Sequence, residues 1–281
     1  MKQNFAIIGH PIGHTMSPFV HKRLFALQSK TADYSVLDIS REGLKDSFST
    51  VLKSLDGFNV TIPHKESILP LIDEVDESAL KYNAVNCVAV RNGKTYGCST
   101  DAFGFTKALE SHSVPLSGRV LVLGAGGAAR TLAREAADCG CEITIAVRNS
   151  SLDKAKTLTD WLKSNGGKAN LTEINSIDGK FDLCINATPV GMYPNTDASI
   201  ITEAQLKSCS AVFDAVYNPQ KTKLLLSAEK FGIKTVGGMA MLVWQAVKAH
   251  EFWYGAEFNT ADINDLIDAA NQEMSRIFYE K

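Results

Sequence analysis

The chain has 281 residues, 45% of them hydrophobic, and a net charge of −2 with both signs dispersed. That is enough for one large domain or two ordinary ones, each with its own core. The even scatter of charge offers no basic stripe for nucleic acid and no basic amphipathic helix for a membrane surface, and the longest apolar runs are too short to span a bilayer. The opening "MKQNFAIIGH" lacks the apolar stretch and small-residue cleavage site of a secretory leader, so a soluble, cytoplasmic protein is expected. The cysteines, Cys87, Cys98, Cys139, Cys141, Cys184 and Cys209, form no C-x-x-C pair and stand at no metal-ligand spacing from histidine. Reduced thiols, several of them buried, and no metal are expected.

In chain order, "NFAIIG" reads as a strand. Ser17-Pro18 marks a helix start, with a capping hydroxyl and a proline at the first helical position. "DYSVLDI" is the next strand, and a helix is expected near 41–55. In "GFNVTIPHKES" Phe58, Val60 and Ile62 alternate with Asn59 and Thr61, the period of a half-buried strand, which Pro63 ends. Lys65 follows where a new helix is expected to begin, and a helix N-terminus disfavours a cation. "NCVAVRNGKTYGC" reads as a hairpin around Asn92-Gly93. Asn86, in a strand-like run, is a residue type depleted in strands, and if buried it needs a local hydrogen bond or a ligand. Asp101, between the hairpin and a helical run, suits a helix cap and a functional carboxylate alike.

A second unit opens at "GRVLVLGAGGAARTLAREAADCG". Strand 119–123 runs into Gly124, Ala125, Gly126, Gly127 and Ala128, then a helix. This fits the dinucleotide fingerprint, in which Gly124 permits the tight turn, Gly126 lets backbone approach a pyrophosphate, and the helix start attracts the anion. The strand over 142–147 ends in Arg148 with no acid, and a guanidinium suits a ribose 2′-phosphate, so NADP is favoured over NAD. Further strands are expected at 181–185 and 211–215. "INATPVGM" fits either a ligand-facing strand end or a turn built on Pro189 and Gly191. Two helices, roughly 238–254 and 260–279, close the chain. The alternating strands and helices of this second unit imply a parallel sheet covered on both faces. His10, His14, His21 and His64 lack a Ser/Asp partner pattern and read as surface or packing residues.

With these stretches in place, the chain resembles the shikimate dehydrogenase family over nearly its whole length. The resemblance rests on "IGHPIGHTMSP", "GFNVTIPHK", "YNAVNCV", "GCSTDAFGF", "LGAGGAAR", "INATPVGM", "DAVYNP" and "GGMAMLVWQA", in that order. It implies an α/β fold of two domains. One is a substrate-binding domain over 1–105, completed by the C-terminal helices of 238–281. The other is a Rossmann-type NADP-binding domain over 106–237. It also implies reversible NADPH-dependent reduction of 3-dehydroshikimate to shikimate, with Lys65 and Asp101 facing the reacting C–O group. Thr15, Ser17 and Tyr217 would hold the substrate carboxylate, and Thr61, Asn86 and Gln245 the ring hydroxyls. The cofactor would lie on residues 124–128, on Arg148 and Asn149, on Ala187, Thr188 and Pro189, and near Ala215 and Gly238. Partial burial and a helix start are expected to ease deprotonation of Lys65, with Asp101 opposing that. The chain departs from the family's usual pattern at Thr15, Ser99, Ala102 and Val147. The alternatives are a quinate/shikimate dehydrogenase using NAD or NADP, and a non-catalytic binder of metabolite or cofactor. A small-molecule substrate is expected, with no nucleic acid, no membrane, and a monomer or homodimer.

Overall fold

The computed structural model describes residues 2–13 and 15–280, so His14 lies outside the described residues. The chain divides into two units. The first runs from the N-terminus to Phe103 and adds Val243–Ala270, and the second comprises Gly104–Leu242 and the segment from Asn271 onward.

The first unit carries β1 (Gln3–Gly9), α1 (Ser17–Leu27), β2 (Ala32–Asp38), α2 (Leu44–Thr50), β3 (Gly57–Val60), β4 (Glu74–Val75), α3 (Glu77–Tyr82), β5 (Cys87–Arg91) and β6 (Lys94–Cys98), after which α4 (Asp101–Ser111) begins. Its strands form a mixed sheet in the order β2-β1-β3-β5-β6-β4. β1 runs parallel to β2 and β3, while β3, β5 and β6 pair antiparallel. β1 is apolar on both faces because both are covered. Ala6 and Ile8 pack with Phe58, Val60 and Leu52, whereas Phe5 packs with Phe25 and Trp253. The β5–β6 turn places Asn92 and Gly93 at φ 52° and 76°, the pair of left-handed residues that a two-residue hairpin requires.

The second unit carries β7 (Arg119–Leu123), α5 (Gly127–Asp138), β8 (Glu142–Val147), α6 (Leu152–Ser164), β9 (Lys168–Glu173), β10 (Phe181–Asn186), α7 (Glu203–Leu206), β11 (Cys209–Asp214), α8 (Lys223–Lys230) and β12 (Lys234–Gly237). These strands are all parallel, in the order β12-β11-β10-β7-β8-β9. This is the doubly wound dinucleotide-binding order, and it reverses between β7 and β10. α9 (Gly238–Tyr254) and α10 (Thr260–Phe278) close the chain. Within α9 only Glu251 is exposed, in keeping with a helix apolar around most of its circumference.

Several local expectations are corrected. α2 is a short helix followed by a single 3-10 turn at Leu52–Ser54, and β3 ends at Val60. β9 and β12 were not expected from the sequence. Each lies at a sheet edge with one hydrogen-bonded neighbour, so neither needs the apolar run that marks a central strand. Among the described residues, no helix is long and apolar enough to cross a membrane, and no group of three or more His, Cys, Asp or Glu could hold a metal ion.

Candidate active site

No helix starts at Lys65. Residues after β3 form successive turns, with the His64 N–H donating to Thr61 O and the Ile68 N–H to His64 O, and only a short 3-10 turn follows at Leu69–Leu71. The expected opposition between a helix dipole and the lysine is therefore absent. The backbone of this turn is fixed from two sides. Lys65 O accepts from the Val85 N–H at 2.8 Å, and buried His64 donates Nε2–H to Ile39 O at 2.6 Å. From this position Lys65 Nζ donates to Asp101 Oδ2 at 2.6 Å, with the lysine side chain 28% and the aspartate 8% exposed.

Asp101 is the first residue of α4, and Asn86 lies immediately before β5 rather than within it. The Asn86 amide answers the demand for partners. Its Nδ2 donates to Asp101 Oδ1 at 2.9 Å, to Thr100 Oγ1 at 3.0 Å and to Gln245 Oε1 at 3.3 Å. Its Oδ1 accepts from the Thr100 N–H at 2.7 Å. That last bond sets the orientation of the amide, because a backbone N–H can only donate. Asn86 therefore points its own donors at the carboxylate and so fixes Asp101 opposite the lysine. Thr100 is a contributor the sequence reading missed. Thr61 lies half-buried at the end of β3, its backbone N–H bonded to Ile8 O.

Ser17 does not cap α1. The cap position is Met16, with no side-chain cap bond, so the serine hydroxyl is left for other partners. Thr15 Oγ1 donates to Ser17 Oγ at 3.1 Å and accepts from the Ser17 N–H at 3.2 Å. Behind them, half-buried Tyr34, whose ionisation desolvation strongly opposes and Ser17 slightly eases, donates to Asn59 Oδ1 at 2.8 Å. Asn59 Nδ2 in turn donates to Asn86 O. Tyr34 and Asn59 give no functional signal in a strand-like sequence, yet they link the two polar clusters of this unit. The histidines serve packing or the surface. His10 pairs with Asp38 in solvent, whereas His21 and His250 bond at 2.9 Å in the core and His250 bonds the Tyr254 hydroxyl.

In the second unit, the loop between β7 and α5 opens with Gly124 at φ +106°, where a Cβ would meet Thr188 Cγ2 at 2.7 Å. The helix cap, Gly126, makes no side-chain cap bond, and a Cβ on Gly126 or Gly127 would face open space. The first N–H groups of α5 thus converge on open space with no side-chain oxygen to occupy them. Ala125 lies within this loop, and Ala128 is the second residue of α5. Arg148 and Asn149 are exposed directly after β8, the neighbour of β7. Ala187, Thr188 and Pro189 follow β10, on the other side of β7. Ala215 follows β11, and a Cβ on Gly238 would meet Ala215 O at 2.5 Å, so these two backbone segments touch as only glycine allows. Tyr217 is half-buried in the same segment as Ala215. The site residues expected from the sequence thus form two groups. Lys65, Asp101, Asn86, Gln245, Thr61, Thr15 and Ser17 belong to the first unit, and Tyr217 and every residue assigned to the cofactor belong to the second.

Comparison with known proteins gives a consistent result. The family model for the shikimate dehydrogenase substrate binding domain matches residues 7–88. The chain is 38% identical over 256 residues to the NADP(+) shikimate dehydrogenase of Methanococcus maripaludis, covering 89% of this chain and 90% of that one. It is 38% identical over 273 residues to the corresponding Bacillus cereus protein, covering 95% and 98%. The crystal structure of Thermus thermophilus shikimate 5-dehydrogenase in complex with NADP(H) and shikimate superposes with a TM-score of 0.86 at 31% identity, covering 95% of this chain and 99% of that chain.

Proposed function

Because this chain belongs to the shikimate dehydrogenase family, we propose that it reversibly reduces 3-dehydroshikimate to shikimate with NADPH, using Lys65 and Asp101 for proton transfer. The observation that carries this reading is the 2.6 Å Lys65–Asp101 contact, backed by Asn86.

The second unit fits the cofactor. The uncapped start of α5 and the open space at Gly126 and Gly127 suit a pyrophosphate, which helix N–H groups and the helix dipole bind well. Arg148, exposed after β8, suits a 2′-phosphate in charge and geometry. Ala187, Thr188, Pro189, Ala215 and Gly238 would line the remainder, with Asn149 beside Arg148. When bound, the nicotinamide supplies or accepts the hydride.

The chain's own residues handle the rest. As the substrate carbonyl is reduced, negative charge grows on its oxygen. Lys65 Nζ is the donor placed to stabilise that charge and deliver the proton. Asp101 engages one N–H of the ammonium and so directs the others. In the oxidative direction the same amine takes the hydroxyl proton. Asn86 holds the carboxylate, and Gln245 holds Asn86 in turn, leaving its own amide N–H groups for a ring hydroxyl. The Thr15 and Ser17 hydroxyls, with Tyr217, suit the substrate carboxylate, and Thr61 a ring hydroxyl.

The test is the absorbance of reduced nicotinamide, followed with purified protein and either shikimate or quinate, each with NADP and with NAD. Turnover is expected to be fastest with shikimate and NADP. Comparable turnover of quinate would widen the substrate assignment. Tight binding of NADP and shikimate without any turnover would replace the enzyme by a metabolite-binding protein.

A further inference from the structure

Asp214 ends β11 fully buried, and nothing in the proton-transfer chemistry uses it. Its Oδ1 accepts from Asn186 Nδ2 at 2.9 Å and from the Val216 N–H at 3.0 Å. Its Oδ2 accepts from Thr222 Oγ1 at 2.6 Å. Asn186, at the end of β10, passes the connection on. Its Oδ1 accepts from Thr188 Oγ1 at 2.7 Å and from the Thr188 N–H at 3.1 Å, and Thr188 Oγ1 accepts from the Val190 N–H. The Thr188 methyl lies where a side chain on Gly124 would fall. One carboxylate thus ties together the segments that follow β10 and β11, and through Thr188 it reaches the glycine turn after β7.

No cation pairs with this carboxylate among the described residues. A titratable group facing it is the Cys184 thiol on β10, which shares a buried apolar cluster with Cys209. Burial pushes the Asp214 carboxyl up to about 6, against the pull of its three hydrogen bonds. A buried carboxylate without a countercharge is an expensive way to fill space. Its acceptor geometry, which no apolar side chain reproduces, is what the surroundings use. We propose that Asp214 is a positioning residue for the dinucleotide, holding the 187–190 turn and the backbone at 215–216 in one fixed arrangement at the carboxyl ends of β10 and β11. This rests on the assignment of those segments to the cofactor.

The decisive variant is Asp214→Ala, assayed by calorimetric titration with NADP and by steady-state kinetics. NADP Kd and KM are expected to rise about tenfold, as for loss of a buried hydrogen-bonded anchor. KM for shikimate should stay within about twofold. Asp214→Asn should restore most of the affinity, because its amide oxygen still accepts from Asn186 and Val216. Asn186→Ala breaks the connection from the other end. It should reproduce the selective loss, and the double variant should bind NADP no worse than the weaker single one. A loss confined to kcat or melting temperature, with NADP Kd unchanged, would overturn the proposal. If Asp214→Ala does not fold, an unchanged NADP Kd in Asn186→Ala overturns it alone. Wild-type protein that binds no NADP would remove the cofactor assignment itself, a failure visible before any variant is made.

Discussion

Lys65 and Asp101 stand 36 residues apart in sequence and meet through their side chains, whereas the cradle of the second unit is built from consecutive residues that have almost no side chains. The first unit gathers charged and amide groups, each held by another: Asp101 by Asn86, and Asn86 by Thr100 and by Gln245, 159 residues away. The second unit presents backbone N–H groups and open space. Proton transfer needs particular functional groups at particular points, whereas an elongated phosphate-bearing ligand needs a shaped surface with little in the way. Substitutions in the two regions should therefore fail differently.

The largest expected effect tests that division most severely. Lys65→Ala should lower kcat by about 10²–10⁴-fold and leave NADP affinity unchanged, as read by steady-state rates and a cofactor titration. Asp101→Asn should fall in the same direction by less, since the amide keeps the shape. A parallel loss of NADP binding in either variant would mean that the two regions do not work separately. Next comes Gly124→Ala. The new Cβ would sit 2.7 Å from Thr188 Cγ2 at φ +106°, a strain of about 1–3 kcal/mol. NADP Kd should rise about tenfold or more, with kcat at saturating cofactor close to that of the parent. Wild-type cofactor affinity in this variant would show that the glycine turn is not where the dinucleotide binds.

The smallest effect concerns stability, and it sharpens the contrast within the core of the first unit. Burial, the larger cause, and His250 hold His21 well below the usual histidine range, and burial pushes His250 down to about 3, aided by Lys30. Unfolded histidine takes up a proton near pH 6.5 and these folded ones do not. Their stabilisation is therefore complete above pH 6.5 and is lost as the pH falls below it, for His250 down toward about 3. For His250 alone the loss is about 2 kcal/mol by pH 5. Asp214 acts in the opposite sense, because its raised pKa makes its contribution grow as the pH falls below about 6. The informative comparison is thus the urea midpoint of wild type against His250→Gln, at pH 7.5 and at pH 5. The variant should lose less on acidification, and equal slopes would exclude His250 as the source.

The glycine turn was legible because everything that defines it is contiguous: a strand, small residues, then a helix. The parallel pairing of the second sheet followed from the alternation of strands and helices, although its edge strands β9 and β12 did not, since an edge needs few apolar residues. Lys65 drew attention for a reason the structure removes, because its segment is a run of turns and what restrains it is a carboxylate. Asn86 was a better signal. A polar residue in an apolar run had to be satisfied, and it is satisfied by Thr100, Asp101 and Gln245 together. Ser17 looked like a helix cap and is not one, because the helix starts a residue earlier than the hydroxyl can serve. Asp214 was not legible at all. An aspartate at a strand end reads as an ordinary turn residue, and only the arrival of Asn186 and Thr222 from elsewhere makes it a buried junction.

The first unit is discontinuous in sequence. Its aromatic core needs Trp253, whose ring lies tilted against Phe5 at a centroid distance of 4.5 Å and donates to Val88 O, and its amide network needs Gln245. During synthesis the ribosome must therefore deliver Gly104–Leu242, the bulk of the second unit, before the earliest strands can bury their last face. The doubly wound sheet can mature while the N-terminal half waits partly open, which reverses the usual order in which the first-made part finishes first. Nascent chains stalled before residue 243 should expose Phe5 and Val88 to chaperones, and release of α9 should end that exposure.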